Sequence, residues 1–137
     1  MTPTRSHNPS ALAAPNGFSH VVVTTGQTQV QVSGQVAYDA SGNVVGVDDL
    51  TAQTRQVYTN ISHALASVGA TFQNVIKTTL FVKDLDPDKA RLIRAARAPF
   101  LASERLPAST MVGVASLARP ELLLEVEAVA IMTEAKP

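Results

Sequence analysis

The segment Leu122–Met132 constrains the fold most, because it has the composition of a β-strand and yet carries two carboxylates. Alternate side chains of a strand point to opposite faces, so Glu125 and Glu127 share one face at a separation of about 7 Å. Both faces of this strand are otherwise largely apolar, which indicates that both are covered. A covered carboxylate is costly unless it is paired, hydrogen-bonded or hydrated. Another part of the folded protein must therefore meet these acids, and a cleft is one candidate.

Composition limits the class of protein. A chain of 137 residues with 45% hydrophobic residues predicts one domain with a substantial core. Eleven basic residues balance eleven acidic ones, so no net field would attract nucleic acid or an anionic membrane. The absence of cysteine excludes disulfides, thiol catalysis and thiolate metal sites, and His7, His20 and His63 lack the spacing of metal ligands. No apolar run is long enough to span a membrane and no signal peptide is visible, so we expect a cytoplasmic protein.

The remaining segments predict an α+β domain. Residues 1–16 are rich in Pro, Ser, Thr, Asn and Ala, so we expect an extended or partly disordered arm before a single domain over residues 17–137. Asp48 or Asp49 would cap a helix that runs to Val68, and Asp86–Pro87 would start a second helix that ends near Pro99. Strands are expected at Val21–Thr25 and Gln29–Ser33, which form a hairpin, and at Gln35–Tyr38, Val75–Val82, Pro107–Leu117 and Leu122–Met132.

This order, β-β-β-α-β-α-β-β, predicts two helices packed on one face of a mixed sheet. Two helices can cover only one face. The opposite face, with its Val, Met and Ile content, would leave a large apolar patch on a monomer. We therefore expect a homo-oligomer in which these sheet faces pack together.

Four segments of the chain resemble the reactive intermediate deaminase (Rid, YjgF-type) family. They are Val32–Val36, Val75–Leu85, Pro107–Thr110 and Leu124–Ala130, in the order and at the spacing of the family. The resemblance extends from about Gly17 to Met132. It implies a chorismate-mutase-like fold, a homotrimer and three clefts between neighbouring subunits. It also implies hydrolysis of 2-imino acids and their enamine tautomers to 2-keto acids and ammonia, without a metal or an organic cofactor.

One departure from the family concerns substrate binding. In the deaminases, the segment matching Pro107–Ser109 carries arginine where this chain has Ser109. A guanidinium would hold a substrate carboxylate through two charge-assisted hydrogen bonds, whereas a serine hydroxyl supplies one neutral donor. Losing such an anchor costs on the order of a thousandfold in binding, by analogy with truncated buried ion pairs. The chain therefore resembles the branches of the family that lack this arginine, and 2-imino acids are expected to be poor substrates.

The second helix carries further departures. Leu92 and Ala95 stand where the deaminases often have Asn and Tyr, which makes the expected cleft less polar. Arg91, Arg94 and Arg97 repeat at three-residue spacing, and we expect them to form a solvated stripe along the helix. The alternative is that one of them returns positive charge to the cleft.

The candidate catalytic residue is Glu125, which matches the family glutamate that positions or activates water for attack on the C=N carbon. Such a base must lie within hydrogen-bond reach of that water. The alternative role is a structural glutamate bonded to the backbone or to an arginine of a neighbouring subunit. Glu127 is expected to be structural, as a member of an ion pair.

The candidate substrate-binding residues also come from the resemblance, and they are Phe18, Ser33, Gly34, Ser109, Thr110 and Met111. Phe18 would form a lid over the ligand, or it is ordinary packing. Gly34 would let a ligand approach the main chain, or it is a strand kink. Periodicity adds that Ser109 and Met111 share one face of their strand.

Three functions follow from these residues. The first is a cofactor-free hydrolase of imine or enamine intermediates in which Glu125 handles water. The second is a catalytically silent trimer that binds a small, less anionic metabolite in the same clefts. The third, RNA cleavage, is disfavoured by the zero net charge and by the lack of a basic patch interleaved with aromatic residues.

Overall fold

The computed structural model describes residues 4–26, 28–101 and 104–132, which form six strands and two helices. The strands are β1 (Thr4–His7), β2 (Val21–Thr24), β3 (Thr28–Gln35), β4 (Val75–Lys83), β5 (Ala108–Val114) and β6 (Leu124–Met132). The helices are α1 (Leu50–Ala66) and α2 (Pro87–Arg97), and single 3₁₀ turns lie at Phe72–Asn74 and Ala98–Phe100. Neither helix is long and apolar enough to cross a membrane in this part of the chain.

Four strands form one mixed sheet in the order β3-β6-β4-β5. Strand β6 pairs antiparallel with β3 and with β4, whereas β4 and β5 are parallel. Parallel neighbours need a crossover connection, and α2 lies in the segment that joins them. The sheet with its two helices confirms the predicted α+β class.

The core lies between the helices and one face of this sheet. In β6 the buried side chains recur at every second position, so only one face of this strand is fully covered within the described chain, whereas the sequence predicts cover on both. Burying each large aliphatic side chain of this kind contributes roughly 1.5–3 kcal/mol before the loss of chain entropy is counted. The strand residues that are fully buried are Leu80, Val82, Leu124, Val126 and Ala130.

Both helices begin where local chemistry predicts. The Asp49 carboxylate accepts a hydrogen bond from the Ala52 amide at 3.0 Å, and the Asp86 carboxylate accepts one from the Lys89 amide at 2.8 Å. These bonds satisfy amides that have no partner within the helix. Gly69, just beyond α1, has a φ of 78°, a backbone conformation that glycine adopts at little cost.

The predicted hairpin between Val21–Thr25 and Gln29–Ser33 is wrong. Strand β2 pairs with β1 in a separate two-stranded sheet, and β3 pairs with β6. Local alternation identifies a strand but not its partner. In the observed pairing of β3 with β6, Val32 lies in the core.

The predicted strand Gln35–Tyr38 is also absent from the sheet, since β3 ends at Gln35. Two backbone carbonyls of this segment instead accept hydrogen bonds from a side chain of α1. The Asn60 amide donates to the carbonyl oxygens of Val36 and Tyr38, at 3.0 and 2.9 Å. A helix side chain thus satisfies carbonyl groups that a neighbouring strand would otherwise bind.

The sheet face opposite the helices, which we call the open face, is more polar than predicted. The methionines expected on it lie elsewhere: Met111 packs against the hydrophobic core and Met132 is buried within it. The alternation of β4 and β6 places Lys77, Thr79, Glu125 and Glu127 on the open face, together with half-buried Val129 and Ile131.

Candidate functional site

The carboxylate of Glu125 lies directly against the main chain of Gly34. A methyl group built on Gly34 would fall 1.9 Å from Glu125 Oε2 and 2.8 Å from Glu125 Cδ. Both distances are far inside van der Waals contact. The missing side chain of Gly34 therefore leaves the space that the carboxylate of Glu125 occupies.

An irregularity in β3 creates this contact. Val32 faces Ala128 and Gln35 faces Val126, so β3 carries one more residue than β6 between these pairs. Such a β-bulge bends its strand and redirects side chains, and bulges are common beside active sites. Ser33 and Gly34 lie in the bulge. Gly34 therefore lies against Glu125, and Ser33 precedes it in the bulge and is exposed to solvent.

Glu125 is half-buried on the open face, directly across from Phe81 of β4. Neither ion pair among residues 4–26, 28–101 and 104–132 includes it, and its carboxylate accepts no hydrogen bond from these residues. Glu127 is exposed and is likewise outside both ion pairs of the described chain. A half-buried carboxylate that lacks a protein partner is available to a water molecule or to a ligand.

Ser109 points to the helix side of the sheet. Its register partner is Thr78, whose hydroxyl donates to Ser109 Oγ at 3.2 Å. Arg97 Nη1 also donates to Ser109 Oγ, at 3.4 Å. Met111 lies two residues further along the same face and packs against the core, as strand periodicity predicts.

The expected solvated stripe of arginines is correct for Arg91 but wrong for Arg97. Arg91 is exposed and forms an ion pair with Asp88, and Arg94 is half-buried. Arg97 has an exposed fraction of only 3%. It follows buried Ile93 by four residues, so it falls on the helix face that packs inward.

The segment around Phe18 lies beside the beginning of β5. The Ser19 amide donates to the Pro107 carbonyl at 3.0 Å, and Ser19 forms a parallel bridge with Ala108. Arg97 Nη2 donates to the Gly17 carbonyl at 3.2 Å. Phe18 is half-buried, and its ring meets the edge of the His20 ring at 5.2 Å.

Thr110 belongs to the open face. Lys77 Nζ donates to Thr110 Oγ1 at 2.7 Å, and the register places Thr79 between Thr110 and Glu127. Thr110 therefore shares a face with Glu125, while its neighbours Ser109 and Met111 lie on the other face. Ser109, Thr110 and Met111 therefore do not form one group within a single chain.

The predicted site residues consequently form two groups. The open-face group consists of Glu125, Gly34, Ser33 and Thr110. The helix-side group consists of Ser109 and Met111, with the Phe18 segment beside the same end of β5. Strand geometry separates them, because the side chains of the two groups leave opposite faces of one sheet.

Sequence reasoning missed Tyr58 and the position of Arg97. Tyr58 is fully buried, and its ring lies 5.8 Å from that of Phe72 and 5.6 Å from that of Phe100. Its hydroxyl makes no hydrogen bond to the described residues. The spacing of Arg97 from Ile93 is a signal that could have placed the arginine on the buried face of α2.

Known proteins resemble this chain over most of its length. The sequence profile described as endoribonuclease L-PSP matches residues 8–132. The chain is 34% identical over 111 residues to the 3-aminoacrylate deaminase RutC of Acinetobacter baylyi, a match covering 81% of this chain and 85% of that one. It is 33% identical over 105 residues to the 2-iminobutanoate/2-iminopropanoate deaminase of Salmonella typhimurium, covering 76% and 80% of the two chains.

A solved structure shows the same architecture. The protein YyfB of Yersinia pestis, described as a protein of unknown function of the conserved Rid family, superimposes with a TM-score of 0.90 at 37% identity. The match covers 94% of this chain and 98% of that one. This likeness confirms the chorismate-mutase-like fold that the resemblance implies.

Proposed function

Because this chain belongs to the endoribonuclease L-PSP family, which includes the Rid (YjgF-type) proteins, we propose that it is a cofactor-free hydrolase of imine and enamine intermediates. Two relatives are named as deaminases of such compounds, which supports this class of reaction. The balanced charge of the chain favours a small molecule over RNA as the ligand.

The observation that carries the proposal is the carboxylate of Glu125, which is half-buried and unpaired among the described residues. In the proposed reaction, water attacks the carbon of the C=N bond while Glu125 accepts a proton from it. Glu125 then returns the proton to nitrogen. In the resulting carbinolamine, Glu125 takes the hydroxyl proton and passes it to the amino nitrogen as the C–N bond breaks, so ammonia leaves and the carbon becomes a carbonyl. Atoms and charge balance without any cofactor.

The two groups of site residues support a cleft between subunits of a homotrimer. Glu125 and Gly34 leave the open face, and Ser109 and Met111 leave the other face. One chain therefore cannot direct both groups at one small molecule, whereas two neighbouring copies could. Sedimentation velocity should show a trimer, and a monomer at micromolar concentration would contradict this part of the proposal.

Ser109 favours a second candidate, a catalytically silent trimer that binds a small metabolite. This position holds a neutral hydroxyl in place of the guanidinium that the resemblance implies for the deaminases. The silent protein would gain thermal stability from its ligand but would show no turnover. If the first candidate is correct, an altered substrate preference is the expected consequence of Ser109.

The test generates 2-imino acids from several amino acids with an amino-acid oxidase and traps them with semicarbazide. Hydrolysis by the protein should lower the rate of semicarbazone formation. Glu125→Gln should reduce this effect by roughly 10²–10⁴-fold, the usual contribution of a general base. Glu127→Gln is the matched control, because Glu127 lies on the same strand and face but is exposed.

Equal activity of Glu125→Gln and the native protein would exclude Glu125 as the base. Complete inactivity of the native protein towards every imine tested, together with ligand-dependent stabilisation, would favour the silent trimer instead.

A further inference from the structure

Arg97 is a buried cation without a counter-ion in the part of the chain that the structure describes. Its exposed fraction is 3%, and neither of the two ion pairs found among the described residues includes it. A guanidinium carries five N–H donors. Its hydrogen bonds within the described chain use two nitrogens, since Nη1 donates to Ser109 Oγ and Nη2 to the Gly17 carbonyl. A buried, uncompensated charge is costly, so its retention requires an explanation.

The Tyr58 hydroxyl is a second unsatisfied group nearby. It is fully buried and has no hydrogen-bond partner among the described residues. Burial raises the pKa of Tyr58, and the positive charge of Arg97 opposes that rise. The charge of the Arg97 guanidinium therefore acts on the Tyr58 phenol. Among the described residues, the Tyr58 hydroxyl lacks an acceptor and the Arg97 guanidinium lacks a negative charge.

Ser109 adds a third donor at the same place. Its oxygen accepts hydrogen bonds from Thr78 and from Arg97. A hydroxyl has two lone pairs and one hydrogen, so two accepted bonds leave its hydrogen free to donate. Arg97 and Ser109 thus present donors in one region, beside the exposed Gly17 and half-buried Phe18.

We propose that Arg97 and Ser109 form a binding site for a small monovalent carboxylate. The inference deepens the proposed function, because that carboxylate would belong to the substrate of the same cleft. One guanidinium balances one negative charge and can bind a carboxylate with two parallel bonds. The Gly17 carbonyl and the neutral hydroxyls add no further positive charge, which disfavours a multivalent anion such as phosphate.

The experiment measures the thermal unfolding of the full chain at constant ionic strength. Formate, acetate and pyruvate are each titrated in place of chloride, and phosphate is the multivalent comparison. The carboxylates should raise the Tm of the native protein saturably, and phosphate should not. In Arg97→Met the concentration of each carboxylate that gives half of the maximal rise in Tm should increase by at least about tenfold.

Arg91→Met is the matched control, because it removes the same side-chain charge from an exposed position of the same helix. It should respond to carboxylates like the native protein. Ser109→Ala should weaken the response while it leaves the arginine in place. This second variant keeps the inference testable if Arg97→Met fails to fold. The proposal would be overturned if carboxylates raised the Tm of Ser109→Ala and Arg97→Met as they raise that of the native protein. It would also be overturned if they did not raise the Tm of the native protein.

Failure of this inference is distinguishable from failure of the proposed hydrolysis. Glu125→Gln should keep the carboxylate response, since Glu125 lies on the other face of the sheet. A carboxylate response without imine turnover would uphold the anion site and reject the hydrolase. Imine turnover without a carboxylate response would reject the anion site alone.

Discussion

The contact between Gly34 and Glu125 can be measured by a double-mutant cycle. Gly34 does not have a positive φ, so alanine fits its backbone, and a compatible Gly→Ala change stabilises by about 0.4–1 kcal/mol through the unfolded chain. The new methyl group would lie 1.9 Å from Glu125 Oε2, so the carboxylate must rotate away. Holding a side chain away from its preferred rotamer costs about 0.5–1.5 kcal/mol.

These two terms nearly cancel in the native background, so Gly34→Ala should change the free energy of unfolding by less than about 1 kcal/mol in either direction. In the Glu125→Ala background the steric cost vanishes, and Gly34→Ala should stabilise by about 0.4–1 kcal/mol. The coupling free energy is then about 0.5–1.5 kcal/mol, the range typical of residues in contact. Urea unfolding at one fixed protein concentration measures it, because subunit association also contributes to stability.

Glu127→Ala provides the comparison cycle, since Glu127 is the exposed carboxylate of the same strand face. Its coupling with Gly34→Ala should be smaller than that of Glu125→Ala. A coupling with Glu125→Ala below about 0.3 kcal/mol, the usual error of additivity, would refute the contact. Gly34→Ala should also lower any imine hydrolysis by about a hundredfold, because displacing a catalytic group by about 1 Å costs that much.

Two further substitutions test the Asp86 helix cap and the buried hydroxyl of Tyr58. Asp86→Ala removes the cap that accepts from the Lys89 amide, so it should lower the free energy of unfolding by about 1 kcal/mol, whereas Asp86→Asn should retain most of it. Tyr58→Phe deletes a buried hydroxyl that has no partner among the described residues, so unfolding in chloride should change by less than about 0.5 kcal/mol. A loss above about 1.5 kcal/mol in Tyr58→Phe would show that the hydroxyl is satisfied after all.

The features that the sequence predicted well depend on neighbouring residues. Asp49 and Asp86 cap helices through amides three residues away, so each helix start is encoded within one turn. The alternation of β6 likewise depends on consecutive residues and correctly groups Glu125 and Glu127 on one face, opposite Leu124 and Val126. These local patterns do not identify partners. The pairing of β3 with β6 joins segments about a hundred residues apart, and no short pattern in either strand selects it.

This difference between local patterns and long-range contacts also applies to Glu125 and Arg97. The apolar strand marks Glu125 and Glu127 as unusual, and the resemblance to the family selects Glu125. The structure places Gly34 beside it. Arg97 was expected in solvent because its three-residue spacing resembles a charged stripe. Its burial depends on contacts with Gly17 and Ser109, which lie 80 and 12 residues away along the chain. A helical pattern alone cannot reveal which distant segments will enclose one of its charges.

The opposite directions of Glu125 and Arg97 lead to a test of the assembled site. If each cleft takes Glu125 from one subunit and Arg97 from its neighbour, Glu125→Gln and Arg97→Met inactivate different halves of the cleft. In trimers reassembled from equal amounts of both variants, a cleft is intact when the first subunit keeps Glu125 and the second keeps Arg97. Random assembly gives each condition half of the time, so about one quarter of the native activity should return. Each variant alone, refolded in the same way, is the control. Activity that stays at the level of the single variants would show that both residues act within one chain or that one of them is not part of the site.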